Sequence, residues 1–320
     1  MKAVGAGPLA AGQLRTYPSV MTSLNRPSAS ATLIKPLSVA VGATPFRLAP
    51  ERADELNSEV FEGQAWEVLF ADELIEKQTN VAAYPSGKRI EVHFSALLSI
   101  WAVSSAVLIL ASGAMRASRQ GDRALVGGPD SDVGLARSLV EAAKALIRDK
   151  DTAWPDALPV PIENPAPDIS DWYVNNLFLA TTGWILLHEI AHIHLGHGRC
   201  ATPEASFAQE YEADEWATDW IMRDAPADLT KDFRILAITT GLVWLAVLDN
   251  VRRGSTTHPH AWDRMQQLAD RLSADELSPG LEMCSHVMKV LFLPDAEAKE
   301  FDCPEDAFIR TLIEVSRLDR

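Results

Sequence analysis

Apolar residues recur at helical spacing along most of the chain, and long uncharged stretches alternate with amphipathic ones. From Glu51 the composition is mixed, and Trp66, Val68, Leu69, Phe70 and Leu74 recur at intervals that predict a first helix reaching Glu76. Tyr84-Pro85-Ser86-Gly87 reads as a turn, and Lys88 to Phe94 alternates polar with apolar residues like a half-buried strand. Any sheet is therefore small. Phe94 to Met115 carries no formal charge over 22 residues, long enough to cross a bilayer. Ser95, Ser99, Ser104, Ser105, Ser112 and Gly113 dilute it, however, and it reads better as the core helix of a large α domain than as a membrane span. Trp172 to Leu187 and Ile235 to Leu248 are uncharged for only 16 and 14 residues, short for spanning, and predict buried helices. Ser131 to Lys150 has a serine cap, an apolar face at Leu135, Leu139, Ala142, Ala145 and Leu146, and basic Arg148 and Lys150 at its end, as an amphipathic surface helix should. After it come Pro155, Pro159, Pro161, Pro165 and Pro167, an irregular connection over 150–170 that serves either as a linker or as a cleft wall.

The pattern predicts a mainly α (α+β) fold in one large domain over residues 51–320. At 320 residues and 47% hydrophobic composition the chain can bury a sizeable core. The first fifty residues differ in kind: rich in Ala, Ser, Pro and Gly, they hold five basic and no acidic side chains and predict a disordered, low-complexity arm. The net charge of −15, with no long Lys/Arg run, argues against nucleic-acid binding. Cys200, Cys284 and Cys303 are widely spaced and odd in number, which suits a reducing compartment and predicts no disulfide framework. No secretory leader pattern, internal repeat or Gly-rich phosphate loop is evident, and a cytoplasmic location is expected.

Chemistry concentrates at His188-Glu189-Ile190-Ala191-His192. Histidines four apart on a helix share one face, so both imidazoles can reach a single Zn²⁺ at about 2.0–2.1 Å. Glu189 projects about 100° round the helix, beside the cation, where it can take a proton from an activated water. Apolar neighbours fit a buried helix, and Gly196 is a natural stop. A catalytic zinc needs a third protein ligand and an open position. Positions seven and ten residues after His188 are Leu195 and Gly198, so a third histidine at metzincin spacing is absent. Glu210 and Asp214, i and i+4 on a following helix, offer instead a ligand and a carboxylate to orient an imidazole. Glu212 lies about 200° round from Glu210 and is expected to be solvated or to act behind the ligands; His194 and His197, about 240° and 180° from His188, are expected not to bind metal.

The runs HEIAHIHLGH and EYEADEWA, then Thr257-His258-Pro259 and Arg264, resemble the gluzincin peptidases of the M48-like type. The Pro-rich approach and Asn175-Asn176-Leu177 before the metal helix are most similar to the Lit-type phage-exclusion peptidases, peptidase family U49. The motif likeness covers about residues 172 to 270. It implies a zinc metalloendopeptidase with one Zn²⁺ on His188, His192 and Glu210 and with Glu189 as base. It also implies a cytoplasmic role in antiviral defence, cutting a host protein, in the translation machinery among other candidates. A tetrahedral oxyanion needs a donor besides the metal, and His258 and Arg264 are candidates. The alternatives are a capping role for His258 and, for Arg264, an ion pair with an acid such as Asp263 or Asp270. The strand from Lys88 could offer a free edge to an extended substrate backbone. Two other functional readings compete: a non-catalytic metal-binding module, which has no need of Glu189, and a membrane-embedded protease anchored through 94–115.

Overall fold

Short apolar residues spaced along the N-terminal segment already build structure. The computed structural model describes residues 15–18, 28–62, 64, 66–72, 80–120, 128–252, 257–272, 278–293 and 304–317. Ser28 caps α1 (Ala29–Ile34), accepting from the Ala31 N–H at 3.0 Å, and α2 (Ser38–Gly42) and α3 (Thr44–Leu48) follow. Ile34, Leu37, Val41 and Leu48 are buried in the common core. The expected disordered arm over 1–50 is therefore corrected from residue 28 onward: Ile34, Leu37, Val41 and Leu48 turn inward while Val39 stays exposed, and composition alone hides that. Residues 1–14 and 19–27 lie outside the described residues.

The helix expected through Trp66 is also corrected. Residues 50–61 form short turns of helix, including α4 (Ala53–Leu56), and Glu67–Ala71 is a strand, β2, in which Val68 and Phe70 are buried and Glu67 and Leu69 only partly so. Leu74 and Glu76 fall outside the described residues. With β1 (Arg15–Pro18), β3 (Val81–Tyr84) and β4 (Arg89–His93), this strand makes a sheet of order β1-β2-β4-β3. The β1/β2 and β2/β4 pairs are parallel and β3/β4 antiparallel. Parallel neighbours come from distant chain, so local spacing cannot reveal them. The strand expected at Lys88 to Phe94 is present as β4, but it is interior, paired on both sides; the edge strand beside it is β3.

β4 runs directly into α5 (Phe94–Gln120). Its serines are absorbed internally: Ser99, Ser104 and Ser105 donate to Ala96, Ile100 and Trp101 carbonyls, and Ser99 accepts from Trp244 Nε1 at 2.8 Å. The most apolar part of α5 is 89% buried. Covering it are α1, α6 (Asp132–Arg148), α7 (Ser170–His194), α9 (Leu229–Arg252) and α11 (Pro279–Phe292). In α6 the predicted serine cap is made, with Ser131 Oγ accepting from the Gly134 N–H at 3.1 Å. The remaining helices are α8 (Pro203–Met222), α10 (Ala261–Leu272) and α12 (Pro304–Ser316).

α7 is the central column, touched by α3, α5, α8, α9 and β3. Two glycines permit close approach: a Cβ on Gly183 would meet Leu48 and Thr44 at 3.2 Å, and one on Gly241 of α9 would meet the Trp184 ring at 2.7 Å. Burying Leu177, Phe178, Trp184, Leu187 and Ile190 favours folding by about 1.5–3 kcal/mol each, as an upper estimate. The Pro-rich connection is a strap over this column. Asn175 Nδ2 donates to the Ile162 carbonyl at 2.6 Å, and the Trp154 ring stands edge-on to Trp101.

Candidate metal centre

The last two turns of α7 and the middle of α8 bring the sequence motif together. His188 Nε2 and His192 Nε2 are 3.1 Å apart. Each is 3.5 Å from the Glu210 carboxylate, His188 from Oε2 and His192 from Oε1. One ligand atom from each residue can be chosen with all three within 4.8 Å of one another. A tetrahedral cation with bonds of about 2.0–2.1 Å spaces its ligand atoms by about 3.3–3.4 Å, so the separations fit one. His188 and Glu210 are each 6% exposed, and Glu210 Oε2 is buried without a hydrogen bond. The electrostatics agree. Burial opposes charge on His188, but Asp214 and Glu210 draw its imidazole up to about 9, whereas burial and the His188 charge push His192 down to about 3. One imidazole favours the charged form and its neighbour the neutral one, with their Nε2 atoms turned to the same point. This group could hold a metal ion.

A second layer orients the first. Asp214, fully buried one turn after Glu210, has Oδ1 2.9 Å from His188 Nδ1. Arg264 of α10 donates to both of its oxygens, Nε to Oδ2 and Nη2 to Oδ1, each at 2.7 Å. Burial alone would raise the Asp214 carboxyl; the Arg264 guanidinium and His188 hold it below the usual carboxylate value. The third guanidinium nitrogen, Nη1, lies 3.5 Å from Glu210 Oε2. Arg264 is thus committed to the acids that carry the site. The acid that pairs with Arg264 is neither Asp263 nor Asp270 of its own helix but Asp214 of α8.

Glu189 sits beside the pair, and burial raises its carboxyl to about 7, partly opposed by the His188 charge. A backbone hydrogen bond from Ala83 of β3 reaches it. A cavity of about 1240 Å³ opens here, lined by Asn80 to Pro85, His188, Glu189, His192, Glu210 and His258 among others. The His93 N–H bonds the Asn80 carbonyl, so the ladder to β4 uses alternate residues and the main-chain groups of Val81 and Ala83 point away from β4. His258, 53% exposed, has Nε2 3.4 Å from Glu210 Oε1, and its loop is tied to α8 by Ser206 Oγ donating to the Thr257 carbonyl. The Pro-rich strap is absent from the residues that line this cavity.

His194 packs on Trp216, away from the cluster, as expected of a non-ligand. His197 is likewise outside the ligand group, as expected, but it lies against it. It is 7% exposed, with Nδ1 2.9 Å from His192 Nδ1 and Nε2 3.1 Å from Glu212 Oε2. The angular argument that dismissed it assumed a continuing helix, but α7 ends at His194. Glu212, expected to be solvated or to lie behind the ligands, has a side chain that is 63% exposed and reaches His197. Cys200, partly exposed, has its nearest polar partner in the Gly198 carbonyl.

Comparison with known proteins follows the same residues. The family model described as Peptidase U49 matches residues 90–284. The "Cell death peptidase" of Escherichia coli (strain K12) is 25% identical over 232 residues, spanning 71% of this chain and 77% of that protein. No solved structure matches.

Proposed function

The chain belongs to the peptidase U49 family and is a peptidase, and from that premise we propose that it is a zinc-dependent endopeptidase whose ligands are His188, His192 and Glu210. The observation that carries this reading is the convergence of two imidazole nitrogens and one buried carboxylate at tetrahedral spacing. A His₂Glu donor set with nitrogen ligands suits zinc over calcium or magnesium, which take oxygen. When bound, such a cation acidifies a water and polarises a substrate carbonyl. Glu189, with a carboxyl near 7, takes a proton from the attacking water and returns it to the leaving amine. The Ala83 N–H at the β3 edge goes to that carboxylate, and the remaining outward main-chain groups, those of Val81 and the Ala83 carbonyl, pair with an extended substrate segment. His258, with Nε2 3.4 Å from Glu210 Oε1 at the lining of the cleft, is placed to donate to the oxyanion. Arg264, first considered for that task, is a positioning residue, since its nitrogens hold Asp214 and Glu210.

The finer reading is a defence protease that cuts a host protein, a translation factor being the candidate class, during phage infection. The resemblance to phage-exclusion peptidases and the name of the Escherichia coli relative support it. The burial of α5 within the chain supports an aqueous placement over a membrane-embedded one. Zinc content of wild type and Glu189→Gln, together with sequencing of newly cut protein termini from cells expressing each, tests the proposal. Equal zinc with new termini only for wild type is expected. Identical termini would favour the non-catalytic module.

A further inference from the structure

The end of α7 gives another histidine a place against the metal site. Gly196 adopts a left-handed φ of 71°. Its N–H bonds the Ile193 carbonyl at 3.3 Å and the His197 N–H bonds the His192 carbonyl at 2.9 Å, the paired bonds of a Schellman motif. In that motif the residue after the glycine folds back over the last full turn, commonly onto an apolar partner. Here the two that meet are His197 and His192, ring nitrogen to ring nitrogen at 2.9 Å. The helix stop thus delivers a polar side chain to a ligand.

What each group can donate fixes the direction of the chain. Glu212 as a carboxylate only accepts, so His197 Nε2 carries a proton and donates across 3.1 Å. A neutral ring protonated there keeps a lone pair on Nδ1, which accepts from His192 Nδ1–H. His192 Nε2 is then left with its lone pair turned toward Glu210 and His188. We infer that His197 and Glu212 are positioning residues that hold His192 in the tautomer a cation requires. They do through one intervening ring what Asp214 does directly for His188. The inference rests on the proposed metal reading of the same site.

The test is zinc affinity, measured by competition with a chelating dye, for wild type, His197→Phe and His197→Asn. An asparagine can place an amide oxygen near the position of the lost Nδ1. The phenylalanine variant is expected to bind zinc about 10–100-fold more weakly, with asparagine restoring affinity to within about threefold of wild type. A merely structural role predicts instead that asparagine fails as phenylalanine does, or that neither matters, and either result overturns the inference. Nitrogen-15 NMR of zinc-loaded wild type, which needs no variant to fold, reads the tautomer of His197. A proton on Nε2 is expected, and one on Nδ1 overturns the inference. Wild type that binds no zinc overturns the metal reading and this inference with it, whereas tight wild-type binding matched by the phenylalanine variant overturns this inference alone.

Discussion

Replacing Asp214 by Asn removes one charge from the most enclosed ion pair of the site with almost no change of shape. Asp214 is 0% exposed, and Arg264, 4% exposed, gives it two hydrogen bonds of 2.7 Å. After the change the guanidinium keeps only Glu210, 3.5 Å away, as a facing carboxylate in this cluster. Breaking a buried pair by removing one partner costs about 3–5 kcal/mol, because the other charge stays buried. That is a large share of the roughly 5–15 kcal/mol that holds a domain together. Urea unfolding of metal-free protein at pH 7.5 should therefore show Asp214→Asn less stable by about 3–5 kcal/mol. The double variant Asp214→Leu/Arg264→Met, which removes both charges and keeps the volume, should recover most of that loss. Both variants should bind zinc at least about tenfold more weakly, since His188 loses its carboxylate. Stability and metal affinity then separate in the double variant. An Asp214→Asn protein within 1 kcal/mol of wild type, or a double variant no more stable than the single, would refute the reasoning.

Three further outcomes are expected. Arg234, 2% exposed, donates to both Glu51 oxygens at 2.6 and 2.9 Å; burial raises the Glu51 carboxyl, but the arginine more than offsets this and leaves it lowered. A lowered carboxyl stabilises above its unfolded value of about 4.3 and loses that contribution as pH falls through the folded value. Thermal unfolding should show Glu51→Gln below wild type by about 1 kcal/mol from pH 6 to 8, the gap closing below about pH 4; a gap that widens in acid contradicts this. Gly241→Ala puts a methyl 2.7 Å from the Trp184 ring, and the resulting overpacking, about 1–3 kcal/mol, should outweigh the gain of about 1 kcal/mol in helix propensity; denaturant unfolding that shows a more stable protein contradicts it. Burial pushes the Cys284 thiol up to about 12, so iodoacetamide at pH 8 should leave it unmodified in the native protein while the partly exposed Cys200 reacts, as peptide mass mapping will show.

The motif was legible because its parts are local: two histidines one turn apart, and a glutamate and aspartate one turn apart on the next helix. Convergence of those two helices followed from the chemistry that needs it. What local spacing could not carry was pairing between distant segments. Val68 and Phe70 fit a helix or a strand equally until β4 lies beside them. Ile34, Leu37, Val41 and Leu48 are too sparse in a run of Ala, Ser and Pro to announce a core, yet all are buried. His197 is a non-ligand, as its angle on the helix implies, but its contact with His192 is hidden for a different reason: the stop at Gly196 returns the next side chain onto the helix, which helical spacing does not show. For Arg264 an acid pair is one of the two roles its sequence allows, but the acid itself is not legible, since nothing near it in the chain points to Asp214.

The most direct test of the account is an anomalous difference map at the zinc edge from crystals of the zinc-loaded protein. A single peak is expected, about 2 Å from His188 Nε2, His192 Nε2 and a Glu210 oxygen, with one position left for solvent. A map with no peak there, or with zinc held by other residues while these three stand apart, contradicts the claim that they form one metal centre.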